Sequence, residues 1–293
     1  MTGPMIHIDP SSLRPILKHE LKNYLSFDEP IDAQLQNFRT LRNKLETQSQ
    51  PNALFAQRLA INTIFKEIVD ELYKGEKELA QILRRRFFEK GTIREVAQEF
   101  HLGEATVSRR QEEGLDKIVD TFYDFEIKAR EEWFHRLEAH LPSPPYSELI
   151  GVDETLDQLL QLIQDPNGPS ILTLVGIGGI GKSSIADALT RRGLRTGSFQ
   201  RPAWIYLERE TIITFEEDAS QSLQERLTSL LAQQLIPNAG PLSIDKQAER
   251  LRARLKMSPH LITINSSHQT PTSSPPPQVL LSGVHSGLLL SLA

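Results

Sequence analysis

The sequence predicts an all-α N-terminal half that carries a helix-turn-helix, followed by an α/β half whose parallel sheet is incomplete. Three observations predict it. Before about residue 170 no stretch reads as a strand, and apolar residues recur every three or four positions instead. Residues 92–120 hold two such helices separated by Leu102-Gly103. Beyond residue 170 short apolar runs alternate with helical ones, and the first leads straight into Gly176-Ile177-Gly178-Gly179-Ile180-Gly181-Lys182-Ser183-Ser184.

Composition narrows the classes of function. At 293 residues the chain has room for two domains. It is 39 % hydrophobic and 24 % charged, within the ordinary range for a globular protein. A net charge of -5 argues against a generally basic nucleic-acid coat and leaves room for a local basic patch. The absence of cysteine excludes disulfides, thiolate catalysis and cysteine-based zinc sites, and suits a reducing cytoplasm, where the chain is expected. Met1-Thr2-Gly3-Pro4 lacks the basic and apolar regions of a signal peptide. No apolar run is long enough to span a bilayer, Leu288-Leu289-Leu290 included, so no membrane partner is expected.

Taken in order, residues 11–25 form an amphipathic helix with Leu13, Ile16, Leu17, Leu21 and Leu25 on one side. Residues 26–51 are polar, punctuated by Pro30 and Pro51, with a helix at about 31–47. Helical spacing returns from Ala53 to Glu89. Ile93, Val96, Ala97 and Phe100 then make one face of a short helix, and small Ala97 suits a close crossing. A second helix starts near Glu104 with Val107, Leu115 and Ile118 inward. In a helix-turn-helix the N-terminal residues of the second helix reach base edges, which here are Thr106, Ser108, Arg109 and Arg110. Arg84-Arg85-Arg86 could add phosphate contacts, although charge runs are more often a solvated face. Residues 122–140 continue as helix, with Phe122, Phe125, Trp133 and Phe134 read as core.

Ile-Arg-Glu-Val-Ala at 93–97, Leu102, and Ala-Thr-Val-Ser-Arg-Arg at 105–110 resemble region 4 of bacterial sigma factors, the part that reads a promoter element. The resemblance implies DNA as a partner. The alternative is a helical packing unit whose arginines face solvent, with Glu104, Glu112 and Glu113 diluting the positive field.

The N-terminal domain is therefore expected over 1–140. Leu141-Pro142-Ser143-Pro144-Pro145-Tyr146 stops the helix, and residues 141–148 read as a proline-rich linker. A helix at about 153–164 comes next, with Asp153 as its cap. Ile171-Leu172-Thr173-Leu174-Val175 is a buried strand. The next nine residues fit G-x-x-x-x-G-K-[ST], and the helix that opens at Ser183 completes the strand–loop–helix context of a phosphate-binding loop. Gly176, Gly178, Gly179, Ile180 and Gly181 bring backbone N–H groups to phosphate oxygens. The helix adds its N-terminal dipole. Lys182 reaches the β- and γ-phosphates, and the Ser183 hydroxyl serves Mg²⁺. Further strands at 202–207 and 261–264, with helices at 217–236 and 243–256, give a β-α-β order and a parallel sheet.

With these elements, residues 147–264 resemble the NB-ARC domains of STAND-type ATPases. Leu149-Ile150-Gly151-Val152, the Gly-Gly-Ile-Gly-Lys form of the loop, and the strand containing Trp204 carry the resemblance. It implies ATP or ADP as the ligand, Ile150, Gly151 and Val152 lining the adenine pocket, and Ser184 at the α-phosphate. It also implies a switch that ADP holds closed and ATP opens, with self-association or a signalling partner.

The chain departs from that family after the third strand. Where the resemblance implies one or two acidic residues, Ile264 is followed by Asn265-Ser266-Ser267, so the carboxylate that positions Mg²⁺ and the attacking water is not visible and hydrolysis is expected to be weak. Asp187 and Asp153 are not read as substitutes. The Ser, Pro and Leu runs of 265–293 are expected to be disordered, as an out-of-frame or truncated reading or as a low-complexity tail. The nucleotide domain over 149–264 is then left with three strands. The leading expectation is a nucleotide-binding switch coupled to the helix-turn-helix. The alternatives are a DNA-binding regulator and an inactive remnant. A nucleophilic enzyme is disfavoured, and the eight histidines show no metal-ligand spacing.

Overall fold

The structure is a computed structural model that describes residues 10–47, 52–165, 167–207, 217–266 and 287–292. The chain forms two compact units, the first reaching Trp133 and the second beginning at Phe134. That division falls inside a helix, upstream of the boundary at 140 read from the prolines.

The first unit is all-α. Helices α1 (Pro10–Lys22), α2 (Arg39–Glu46), α3 (Ala53–Gly75), α4 (Lys77–Leu83), α5 (Ile93–Glu99) and α6 (Glu104–Glu138) occur in order. Leu13, Leu17 and Leu21 of α1, Ile61, Ile64, Phe65 and Ile68 of α3, and Leu115, Ile118 and Phe122 of α6 share one core. Helix α1 stops before Leu25, which is 54 % exposed. The helix read at 31–47 is a single 3₁₀ turn, Leu35–Asn37, followed by α2. Phe38 gives α2 no side-chain cap. Glu126 of α6 supplies one instead, accepting from the N–H groups of Arg39 and Thr40 at 2.9 Å each.

The helical run from 53 to 89 breaks at Glu76 (φ -129°, ψ 64°) and then widens into a π-helical turn over Arg84–Phe88. Asn52 caps α3 through Leu54 N and Phe55 N. The second helix read from Glu104 and its continuation over 122–140 form one helix, α6, which ends at Glu138. Gly114 does not break it. A Cβ there would stand 2.6 Å from Leu83 Cδ2, so α6 makes a second close crossing, over α4, besides the one at Ala97.

In the second unit, α7 (Asp153–Gln164), β1 (Ile171–Leu174), α8 (Lys182–Arg195), β2 (Pro202–Leu207), α9 (Glu217–Leu235), α10 (Ile244–Met257), β3 (His260–Ser266) and β4 (Gly287–Leu292) build an α/β layer structure. The four strands lie in the order β1-β4-β3-β2, all parallel. Ile205, Ile262 and Ile264 meet Leu227, Leu231 and Leu255 of α9 and α10. On the opposite face Thr263 exchanges a hydrogen bond with Thr190 of α8 at 2.9 Å.

β4 corrects the expectation of disorder for 287–292, and residues 267–286 lie outside the described residues. Gly287 to Leu292 pairs with β1 on one side and β3 on the other. A parallel strand covered on both flanks reads as a short apolar run, and Leu288-Leu289-Leu290 is one. Without it the facing N–H and C=O groups of β1 and β3 would lack partners. The Asp153 cap is also corrected. Val152 is the N-cap, and Asp153 sits in the first turn with its carboxylate on Arg192.

Candidate functional site

Two sites are built from local rules, one in each unit. In the second unit, β1 ends at Leu174 and the chain turns through exposed residues to Lys182, where α8 begins. Gly179 (φ 82°) and Gly181 (φ 99°) adopt left-handed backbone that disfavours any side chain, and Gly181 is the N-cap of α8. Nothing stands within 4 Å of a Cβ built at Gly178, Gly179 or Gly181, so the loop presents bare backbone. The Lys182 ammonium donates to Gly176 O at 2.7 Å and Ile177 O at 3.2 Å. Positive backbone dipoles, a helix start and an ammonium therefore converge, and an anion fits this cradle. Ser184 lies in the same first turn of α8.

A divalent cation fits less well. The Ser183 hydroxyl faces Asn265 at the end of β3, with Asn265 Nδ2 at 3.3 Å and Oδ1 at 3.5 Å. Both groups are neutral. Asp187 is buried and committed to Tyr146 and Arg191, at 2.9 and 2.8 Å. Among the described residues no group of three or more His, Cys, Asp or Glu could hold a metal.

Ile150, Gly151 and Val152 precede α7. Gly151 is left-handed (φ 74°), and Ile150 is 84 % exposed on an open turn. Arg192 ties α7 to α8 through Asp153 and Asp157. Ile177 and Ile180 are exposed as well, at 77 % and 62 %.

In the first unit, Thr92 and Glu95 form a capping box at the start of α5. Thr92 Oγ1 accepts from Glu95 N at 3.2 Å, and Thr92 N donates to Glu95 Oε2 at 2.7 Å. Hydrogen bonding to Thr92 holds the Glu95 carboxyl below its ordinary range. α5 ends with left-handed His101 (φ 55°) and a bond from Leu102 N to Ala97 O, a Schellman end. The special backbone of the turn thus falls on His101, not on Gly103. Ile82, Val96, Ala97 and Val107 bury together between the helices.

Of the residues read as DNA contacts, Arg109 is exposed, Thr106 and Ser108 are half-buried, and Arg110 turns toward Glu113 at 3.6 Å. The Arg84-Arg85-Arg86 run is committed elsewhere. Arg84 pairs with Asp70, Arg85 with Glu89 and Glu99, and Arg86 with Gln111 and the carbonyl of Gly91. A cavity of about 690 Å³ opens beside the first two of these pairs, bordered by Tyr73 and Phe100. Glu112 does not add a free negative charge either, because Lys18 and Arg14 bind it and hold its carboxyl low.

Residues 77–119 match the family described as Sigma-70, region 4. The helix-turn-helix is therefore of the sigma-70 region 4 type in sequence. The sigma-like segment begins at α4, earlier than the motif residues alone indicate, and takes in the π-helical turn. The chain is also similar to the disease resistance protein RPP8 of Arabidopsis thaliana, 22 % identical over 143 residues, which is 48 % of this chain and 14 % of RPP8. It is 21 % identical over 104 residues to the probable disease resistance RPP8-like protein 4 of the same plant, covering 36 % of this chain and 12 % of that protein. It is 20 % identical over 130 residues to the Arabidopsis disease susceptibility protein LOV1, covering 44 % and 13 %. The chain thus spans about one seventh of the length of the relatives it matches. Among the described residues no helix is long and apolar enough to cross a membrane.

Proposed function

We propose that this protein is a nucleotide-responsive switch whose phosphate loop holds ATP or ADP and whose sigma-like helix-turn-helix delivers the output. One observation carries the reading: left-handed Gly179 and Gly181 open the loop where α8 starts at Lys182. The residues assigned to the ligand are Gly176, Gly178 to Ser184, and Ile150 to Val152. Among the described residues the Ser183 hydroxyl meets the neutral Asn265 amide and no carboxylate, so slow or absent hydrolysis belongs to the proposal.

The test is a titration of the full chain with ADP and with ATP, alongside Lys182→Ala. Binding in the wild type that weakens at least about tenfold in the variant supports the proposal. Equal binding by both proteins, or none by folded wild type at millimolar nucleotide, sinks it.

The exposed guanidinium of Arg109 on α6 favours DNA contact as the output. Arg109→Ala is then expected to weaken binding to duplex DNA and to flatten its dependence on salt.

A further inference from the structure

One stripe of α8 is given over to holding residues 134–146, the first stretch of the second unit. Asp187, Arg191 and Arg195 recur every four residues along it. They meet Tyr146, Pro142, Glu138 and Phe134, which recur every four residues in the other direction. Asp187 Oδ2 accepts from the Tyr146 hydroxyl at 2.9 Å and from Arg191 Nε at 2.8 Å. Arg191 Nη1 donates to Glu138 at 2.6 Å, and its Nη2 donates to the Pro142 carbonyl at 2.6 Å. The Arg195 guanidinium lies 4.4 Å above the Phe134 ring.

This is an expensive way to fix a linker. Asp187 is fully buried, and its Oδ1 has no hydrogen-bond partner. Buried charges seldom improve on apolar packing for stability alone, whereas they do fix one arrangement against others. Burial and the Asp187 carboxylate push the Tyr146 hydroxyl up to about 12, so it remains a donor at any physiological pH. The helix that receives these contacts is also the one that opens at Lys182.

We infer that Tyr146, Asp187, Arg191 and Glu138 form a latch that couples closure of the 138–146 segment to occupancy of the phosphate loop. The inference rests on the nucleotide reading above. The latch and the ligand both require α8 in this position, so each strengthens the other by the same factor.

The experiment compares full-length wild type and Tyr146→Phe, a change that removes one hydroxyl and keeps the ring. Cleavage by a glutamyl endopeptidase after the exposed Glu148 is followed by mass spectrometry, with and without ADP, and ADP affinity is measured separately. Without ADP, Tyr146→Phe is expected to be cut at least about threefold faster than wild type. Saturating ADP is expected to slow cutting of both proteins, and the variant's ADP affinity is expected to fall only as far as its closed fraction falls. Asp187→Asn, which keeps an acceptor for Tyr146 and leaves Arg191 facing a neutral amide, is expected to be cut at least as fast as Tyr146→Phe. Equal cutting of wild type and Tyr146→Phe without ADP overturns the latch. Cutting that bound, saturating ADP does not slow overturns the coupling. Wild type that binds no ADP overturns the nucleotide reading and the coupling, while the ADP-free cutting rates still decide the latch.

Discussion

The side-chain amide of Asn265 faces the hydroxyl of Ser183, with Nδ2 3.3 Å from Oγ. A carboxylate at that position would complete a Mg²⁺ site with the hydroxyl, and an amide cannot bring the charge. Nucleotide binding by the wild type is therefore expected to differ little between Mg²⁺ and a chelator. In Asn265→Asp, Mg²⁺ is expected to tighten it about tenfold. Calorimetric titration in both buffers checks this, and strong Mg²⁺ dependence in the wild type would count against it.

Gly114 faces Leu83 so closely that an added Cβ would lie 2.6 and 2.8 Å from its two methyl groups. Leu83 is fully buried and cannot swing clear. Alanine favours a helix interior by about 1 kcal/mol over glycine, but overpacking costs about 1–3 kcal/mol. Gly114→Ala is expected to lower the melting temperature. Combining it with Leu83→Ala should give less than the sum of the two losses, because the clash is then gone. A Gly114→Ala protein that melts higher than wild type would refute the close crossing.

Glu126 is fully buried and serves Arg39 N, Thr40 N, the Thr40 hydroxyl and Arg130. Glu126→Ala leaves the first turn of α2 uncapped and Arg130 without this carboxylate, at a cost of roughly 3 kcal/mol. Urea unfolding should show the loss in the midpoint with little change in slope. Glu126→Gln, which keeps acceptor capacity on one oxygen only, should lose less.

His260 is buried, with Nδ1 2.7 Å from Ser258 O. Burial, assisted by Arg254 and Arg201, lowers its pKa against the opposing pull of that carbonyl. The folded form is thus neutral where the unfolded chain, titrating near 6.5, already takes up a proton. Stability from this group is unaffected above that pH and declines as pH falls through it. The decline stops growing once the lower folded pKa is passed. Unfolding midpoints from about pH 8 to about pH 5 should therefore drop less steeply in His260→Gln. An unchanged slope would assign the dependence to other groups.

Where a structural feature depends on near neighbours in sequence, it is readable directly. The phosphate loop needs glycines at fixed offsets from Lys182, and left-handed Gly179 and Gly181 sit where the motif requires. The helix-turn-helix was legible because Ile93, Val96, Ala97 and Val107 keep helical period on both sides of a turn. The Thr92–Glu95 capping box, which the sequence reading passed over, is equally local and marks the start of α5. Distant partners left no such trace. β4 hid in a leucine run because its strand neighbours lie far away in sequence, and Arg84 to Arg86 looked like a solvated face because Asp70, Glu99 and Gln111 approach them only in the fold. Tyr146 and Asp187 are separated by 41 residues, and neither carries a motif.

The π-helical turn at Arg84–Phe88 sets the pointing directions of three consecutive arginines. Their partners sit on α3, on α5 and on α6, so a single wide turn serves as the hub of three spokes. Deleting one residue there would rewind the turn to α geometry and rotate the downstream helices by about 100°. Helix α6 would lose its brace without any change to its own sequence.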